Sequence, residues 1–271
     1  MLRALFAFAL LFALPACAQT PPVATACPGE FADGRPPALL NPKLAVGTRL
    51  LCNQEYAVLH SAVTRTALWS AEHLTAEQVE QARGLPRQGD FHPDDRLPPD
   101  ERAELRDYAR SGYDRGHLSP SGDMPTPESQ QESFSLANMI PQAPDLNRNL
   151  WAAIEEAVRR LARDDGSLYV VTGPVFQGTQ LQQLRGRVLV PTSVYKAVYD
   201  PARGQAAAYL CPNVNGPQCQ TVSIAQLAQL TGINPFPAAS VTAAPLALPT
   251  PETRARRYRS RTRDRERTVS W

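Results

Sequence analysis

One amphipathic stretch constrains the fold of this 271-residue chain more than any other feature. After Asn147, apolar residues recur at positions i, i+4, i+8 and i+11, at Leu150, Ile154, Val158 and Leu161. Charged residues occupy the other faces, so the stretch predicts a helix with one buried side. A helix of this kind needs an apolar surface to cover, and the flanking sequence supplies candidate strands.

Apolar or alternating segments on both sides of this helix are typical of strands. They cover residues 55–61, 167–174, 187–200 and 205–212. Further helices are predicted over residues 75–83, which open with a capping box, and over 100–110 and 223–232. Strands and helices follow one another without regular alternation, which favours the α+β class over a doubly wound sheet.

The termini differ in composition from the 27–237 segment, which we expect to form one domain. Residues 1–18 combine Arg3, an apolar run and the small-residue exit Ala16-Cys17-Ala18, the order of a signal peptide. We therefore expect an exported protein, periplasmic or secreted. A lipobox ending at Cys17 stays open as an alternative, and it would anchor the chain to a membrane through one lipidated residue.

Residues 238–252 are rich in Ala and Pro and predict a disordered linker, and 253–271 form an Arg-rich tail with the composition of disorder. The tail carries eight arginines against Asp264 and Glu266. The whole chain has a net charge of +2, so the remainder is near −4. This balance argues against a folded part that binds nucleic acid through a generally basic surface. The tail itself is either a solvated end or a segment that attracts nucleic acid or another anionic surface.

Apart from Cys17, four cysteines remain, an even number that favours disulfides in an exported chain. Four cysteines allow three pairings. We expect the two local ones, Cys27–Cys52 and Cys211–Cys219. A zinc site is the weaker alternative, because the sequence has no CxxC motif and no histidine beside these cysteines.

The segment "YDRGHLSPSGDM" (113–124) holds one of only four histidines, His117. Alone, its DRGH motif is too short to identify a function. The downstream segment "FSLANMIPQAPDLNRNLWAAIEE" (134–156) adds Asn138, Asn147 and Glu155 at the start of the amphipathic helix. Together these motifs resemble the DNA/RNA non-specific endonucleases, which belong to the ββα-metal (His-Me finger) nucleases. The resemblance extends from about Cys52 to Phe236 and implies an antiparallel central sheet flanked by helices.

Hydrolysis of a phosphodiester needs an activated water and neutralisation of charge on the phosphate. A neutral imidazole is suited to accept a proton from water near neutral pH, so His117 is the candidate general base. Arg115 carries a guanidinium suited to phosphate oxygens. We expect the other three histidines to be structural or exposed, and Trp151 to pack in the core.

Asn147 is the expected metal ligand, because one amide oxygen suits Mg²⁺, a hard cation that retains several waters. Mn²⁺ is a possible substitute, and a helix-capping role for Asn147 is the alternative. Glu155 lies eight residues further along the same helix face, a rise of about 12 Å. It is therefore expected to orient metal-bound water from outside the ligand shell. The alternative for Glu155 is an ordinary exposed carboxylate.

Other positions have supporting roles. Gly116 permits a close approach, and Asp114 either holds the loop by an internal hydrogen bond or takes part in catalysis. The resemblance implies that Asn138 positions the active-site loop. It also implies a second phosphate-binding arginine upstream, for which Arg87 is the best match and Arg83 a competitor.

The expected function is an exported, Mg²⁺-dependent endonuclease that cuts DNA and RNA. Contacts limited to phosphate, sugar and metal carry little base information, so low sequence specificity is expected. The resemblance further implies products with 5′-phosphates. The alternative is a non-catalytic envelope protein that binds nucleic acid with the same fold.

Overall fold

The structure is a computed structural model that describes residues 26–242 and 244–253. The expected signal peptide, Cys17 and residues 254–271 of the Arg-rich tail lie outside the described residues. Within the described ranges, no helix has the length and hydropathy that crossing a membrane requires.

The described chain contains short and long strands in the following order. The strands are β1 Ala38–Leu39, β2 Thr48–Cys52, β3 Ala57–Ser61, β4 Thr66–Thr75, β5 Asp114–His117, β6 Met139–Gln142, β7 Ser167–Val175, β8 Gln183–Leu184, β9 Val188–Leu189, β10 Ser193–Asp200, β11 Gln205–Pro212, β12 Gln220–Val222 and β13 Ile233–Asn234. The α-helices are α1 Ala76–Arg83, α2 Leu105–Tyr108, α3 Pro127–Ser133, α4 Ala152–Asp165 and α5 Ile224–Thr231. A π-helical turn, Leu146–Trp151, runs directly into α4.

Seven strands form one antiparallel sheet in the order β12-β11-β10-β7-β4-β3-β2. Alternation along β7 sends neighbouring side chains to opposite faces. Val170 packs in the cluster that contains Ile154 of α4, whereas Val171 packs in the cluster that contains Leu227 of α5. Helices therefore cover both faces of the sheet, and α4 buries the apolar stripe that its sequence predicts.

Local sequence patterns predicted the positions of several helices and strands correctly. Thr75 begins α1 through a capping box with Gln78, and Ser223 begins α5 in the same way with Gln226. The strand predicted over residues 205–212 is β11. These elements begin or end where side chains satisfy backbone groups, information that is contained in the local sequence.

Two predicted elements are wrong in extent. The helix expected over residues 100–110 shrinks to α2, because Arg102 donates to Asp95 and to the Leu97 carbonyl and holds the preceding chain in a turn. The single strand expected over residues 187–200 divides into β9 and β10. The break falls at Pro191, which has no N–H to donate to a neighbouring strand.

The two disulfides join Cys27 to Cys52 and Cys211 to Cys219, with Cα–Cα distances of 5.9 Å and 4.3 Å. The local pairing expected from the sequence is confirmed. The first bond ties the N-terminal described segment to β2, and the second closes the loop between β11 and β12.

The described part of segment 238–252 packs against the domain, unlike the disordered linker that its composition indicates. Leu246 is only 2% exposed and belongs to the same core cluster as Ile154. Its N–H donates to the Ala206 carbonyl, and the Tyr209 hydroxyl donates to the Pro249 carbonyl. Long-range contacts with β11 order this segment, and such contacts cannot be predicted from its composition.

We predict that Leu246→Ala destabilises the domain by about 2–4 kcal/mol, because it removes a side chain buried in the main core. Urea unfolding of the full chain measures this change. Val241→Ala is the control, since Val241 is 38% exposed and should change the free energy of unfolding by less than about 0.5 kcal/mol. If Leu246→Ala changed the free energy of unfolding as little as the control does, Leu246 would not contribute to the core.

Candidate active site

Two strands and one helix position the predicted site. Strand β5 pairs antiparallel with β6, and the register places Asp114 opposite Gln142 and His117 opposite Met139. A short connection then leads from β6 into the π-helical turn that carries Asn147, and α4 continues from it with Glu155. The strand pair and the helix thus bring the two sequence motifs to one place.

A cavity of about 550 Å³ opens at this junction. Six of the predicted site residues line it: Arg87, Asp114, Arg115, His117, Asn147 and Glu155. The other two, Gly116 and Asn138, are buried and do not line it. The structure therefore assembles six of the eight predicted residues around one cavity.

His117 is 7% exposed, and its ring packs against two aromatic rings that also contact each other. The ring centroids of Phe134 and Phe91 lie 4.9 Å and 5.8 Å away. Burial lowers the pKa of His117 to about 3, and the positive charge of Arg87 acts in the same direction. The imidazole is therefore neutral at pH 7 and has a lone pair for a proton. A phosphate anion in the cavity would raise this pKa by favouring the charged form.

Asn147 does not cap the helix, because the residue at the N-cap position is Asp145. Its Nδ2 instead donates to Asp114 Oδ2 at 2.9 Å. Arg148 also donates to both oxygens of Asp114. Partial burial opposes ionisation of Asp114, but these donors outweigh it and hold its pKa below the usual value. Asp114 thus fixes the orientation of the Asn147 amide, which supports its role as a loop-holding residue.

The donor set at this position suits a hydrated hard cation. With Nδ2 committed to Asp114, the Asn147 Oδ1 has no hydrogen-bond donor among the described residues. The same part of the chain contains no group of three or more His, Cys, Asp or Glu side chains that could hold a metal. One amide oxygen with water completing the shell fits Mg²⁺, which rarely takes a full protein cage.

Glu155 lines the cavity one helix turn before Arg159. Burial raises the pKa of Glu155 to about 7, although the charges of Lys196 and Arg159 act in the opposite direction. Arg159 itself is bound to Asp123 at 2.7 Å. The Glu155 carboxyl is therefore partly protonated near neutral pH, and a bound cation would favour its charged form.

Both arginines predicted for the site present positive charge to the cavity. The Arg115 guanidinium lies over the Phe91 ring at 4.2 Å, and Arg87 lies over the Phe134 ring at 5.1 Å. Arg87 also donates to Ser121 Oγ at 2.8 Å. Arg83, the competitor for the upstream role, is paired with Glu80 at 3.8 Å and does not line the cavity. The geometry favours Arg87.

Gly116 and Asn138 fix the wall behind His117. A Cβ on Gly116 would lie 2.6 Å from the Cβ of Gln142 on the paired strand, so only glycine allows the approach. The Asn138 side chain is fully buried. It donates to the Ser119 and Ser133 carbonyls and accepts from the Ser119 N–H. It thereby holds the backbone that follows His117.

The remaining predicted residues lie apart from the cavity. Trp151 is fully buried, as expected for a core residue. His60 contacts the Glu101 carbonyl, His73 stacks on Tyr169, and His92 contacts the Asp90 carbonyl. None of these three rings lines the cavity around His117.

Several residues of the site were missed. Arg159 and Arg148 were detectable, since Arg159 lies four residues after Glu155 on the same helix face and Arg148 adjoins Asn147. Phe91 and Phe134 carry no local signal, because they meet His117 only through tertiary folding. Lys196 is also missed; its Nζ donates to the Leu118 carbonyl from a strand almost 80 residues away.

Comparisons with known proteins identify the family. The family model of the DNA/RNA non-specific endonucleases matches residues 37–241. A nuclease of Nostoc sp. is 35% identical over 68% of this chain and 67% of its own length. Mitochondrial endonuclease G of Bos taurus is 33% identical over 69% of this chain and 67% of its own.

A solved structure of the EndoG/EndoGI complex matches with a TM-score of 0.63 and 29% identity, covering 68% of this chain and 84% of the matched chain. The α+β, ββα-metal fold expected from the motifs is confirmed by this match. The chain belongs to the DNA/RNA non-specific endonuclease family and is a nuclease, a hydrolase of phosphodiester bonds.

Proposed function

We propose that this protein is an exported, Mg²⁺-dependent endonuclease that cuts DNA and RNA with little sequence specificity and leaves 5′-phosphates. One observation carries the proposal: a neutral imidazole faces the same cavity as an amide oxygen and two arginines that have, among the described residues, no donor and no carboxylate partner respectively. Each of these groups matches one requirement of phosphodiester hydrolysis. Each requirement therefore has a candidate residue.

His117 is proposed as the general base. Its ring is held by Phe91 and Phe134 and is neutral at pH 7, and a phosphate bound in the cavity would raise its pKa so that it can take a proton from water. Arg115 and Arg87 would bind the phosphate oxygens and stabilise the charge that accumulates as the water attacks. Their aromatic neighbours orient the guanidinium groups without neutralising them.

Asn147 is proposed to hold the metal through Oδ1, and Glu155 to orient the waters around it. The cation, when bound, acts as a Lewis acid that stabilises negative charge on the phosphate and the departing oxygen. Asp114 contributes by fixing the Asn147 amide, since it accepts the hydrogen bond from Nδ2. Mn²⁺ is expected to substitute, because it accepts the same oxygen ligands.

Export is supported by the two disulfides, which persist in oxidising compartments. Attachment through a lipidated Cys17 remains the alternative to a free periplasmic or secreted protein. A non-catalytic nucleic-acid-binding protein is the second candidate function. It explains the arginines of the cavity, but it gives no reason for the base, the amide oxygen and the buried carboxyl to be placed together.

We predict that His117→Ala lowers turnover of plasmid DNA and RNA by roughly 10²–10⁴-fold, the usual contribution of a general base. Initial rates with Mg²⁺, and with EDTA as the metal-free condition, measure this effect. His73→Gln is the control, since this histidine contacts Ser167 outside the cavity and should retain activity. Equal activity of the wild type and His117→Ala would remove His117 from its role. An inactive wild type would favour the binding protein.

We predict that Glu155→Gln stabilises the metal-free protein at pH 8 and lowers its activity when Mg²⁺ is present. The folded-state pKa of Glu155 is about 7, above the ordinary 4.5, so the folded protein loses stability as the pH rises through this interval. A glutamine removes that cost, and each pKa unit corresponds to about 1.4 kcal/mol. The expected gain at pH 8 is about 1–3 kcal/mol, and at pH 4.5 it is close to zero.

Urea unfolding in EDTA at pH 4.5 and pH 8 tests this expectation. Glu128→Gln is the control, because Glu128 is an exposed carboxyl in the first turn of α3 and has no burial cost to remove. If Glu155→Gln were no more stabilising at pH 8 than at pH 4.5, the Glu155 carboxyl would not be held in a desolvated site.

A further inference from the structure

A second cavity, of about 330 Å³, lies next to the active-site cavity, and Ala109 and Arg110 line both of them. Its other lining residues include the neutral donors Ser111 and Gln183, together with Arg185. Among the described residues, Asp107 is the one acidic residue of the lining; it is 1% exposed, and Arg187 lies 3.4 Å from it. The second cavity therefore presents positive charge and neutral hydrogen-bonding groups beside the site.

Arg110 stands between the two cavities in a costly backbone conformation. Its φ of 59° lies in the left-handed region that side chains other than glycine rarely adopt. Arg65 and Arg185 share this region, but both donate to backbone carbonyls. The exposed Arg110 side chain has no hydrogen-bond or ion-pair partner in residues 26–242 and 244–253. The strain at Arg110 is therefore not offset by a contact of its own side chain.

The surrounding structure holds the Arg110 backbone in place. From the opposite wall, the Arg185 guanidinium donates to the Arg106 carbonyl at 2.7 Å and to the Ala109 carbonyl at 3.2 Å. The Tyr113 hydroxyl donates to Gln182 Oε1 at 2.9 Å, which joins the two walls a second time. A strained residue kept in place by its neighbours at a cavity rim is typical of a functional position.

We propose that Arg110 and the second cavity form a subsite for a nucleic-acid phosphate that flanks the one bound in the active-site cavity. This inference rests on the proposed function. A guanidinium without a partner, at the opening shared by the two cavities, suits a phosphate oxygen, and Ser111 and Gln183 suit sugar hydroxyls or further phosphate oxygens. The subsite would increase the affinity for the nucleic-acid strand without adding a preference for any base.

The test uses the full chain and a fluorescein-labelled 20-nucleotide single-stranded DNA. Binding is measured by anisotropy in EDTA across a range of salt concentrations, and kcat and KM are measured with Mg²⁺. For Arg110→Ala we expect binding about tenfold weaker, a salt slope smaller by roughly 0.7, and kcat within about twofold of the wild type. Arg83→Ala, which removes an exposed arginine paired with Glu80, should match the wild type.

Arg110→Gly separates the side chain from the backbone strain. Glycine adopts a positive φ without cost, so this variant should bind as weakly as Arg110→Ala while its thermal stability equals or exceeds that of the wild type. Unchanged binding in both variants would overturn the subsite, and so would a loss of kcat with unchanged binding. If the wild type binds the DNA but never cuts it, the proposed function fails while the binding data still decide the subsite. If it does not bind, both fail.

Discussion

A buried ammonium group holds the two halves of the active site together. Lys196 is 1% exposed, and its Nζ donates to the Leu118 carbonyl at 3.2 Å and to Thr172 Oγ1 at 2.7 Å. The same group lies 5.6 Å from the centre of the Trp151 ring. It therefore joins the residue after His117, the central sheet and the turn that begins the Asn147 helix. A buried cation is costly unless its donors are satisfied, so these three pieces are strongly held in one arrangement.

The charge of Lys196 is part of a polar layer between α4 and the sheet. Burial raises the pKa of Glu72 well above its ordinary value, and both oxygens of this carboxyl lack hydrogen-bond partners among the described residues. Glu155 lies in the same layer, and Arg159 is bound to Asp123 there. These groups reduce stability relative to an apolar core. The same low-dielectric surroundings keep the His117 imidazole neutral and strengthen electrostatic interactions in the cavity.

Features that depend on residues close together in the sequence could be predicted, whereas features that depend on long-range contacts could not. The α4 stripe, the α1 capping box and the DRGH motif depend on neighbouring residues, so the sequence reports them directly. Leu246 is ordered by contacts with β11, and the helix expected over 100–110 is cut short by the hydrogen bonds of Arg102; neither cause has a periodic signal. Within the site, the candidate base and metal ligand were detectable from motifs. Phe91, which packs on His117, and the distant Lys196 were not.

The arginines around the site divide into two groups. This division bears on how a domain with a small net negative charge could bind nucleic acid at one place. Carboxylates bind Arg148 and Arg159. Within the described chain, by contrast, Arg87, Arg110 and Arg115 have no carboxylate within 4 Å. These three charges line the active-site cavity, and its described lining holds four arginines against Asp114 and Glu155, so positive charge is concentrated there although the domain carries a net negative charge. Guanidinium groups placed in this way suit phosphate oxygens, which every sequence presents, and the proposed roles of these arginines therefore need no base selection.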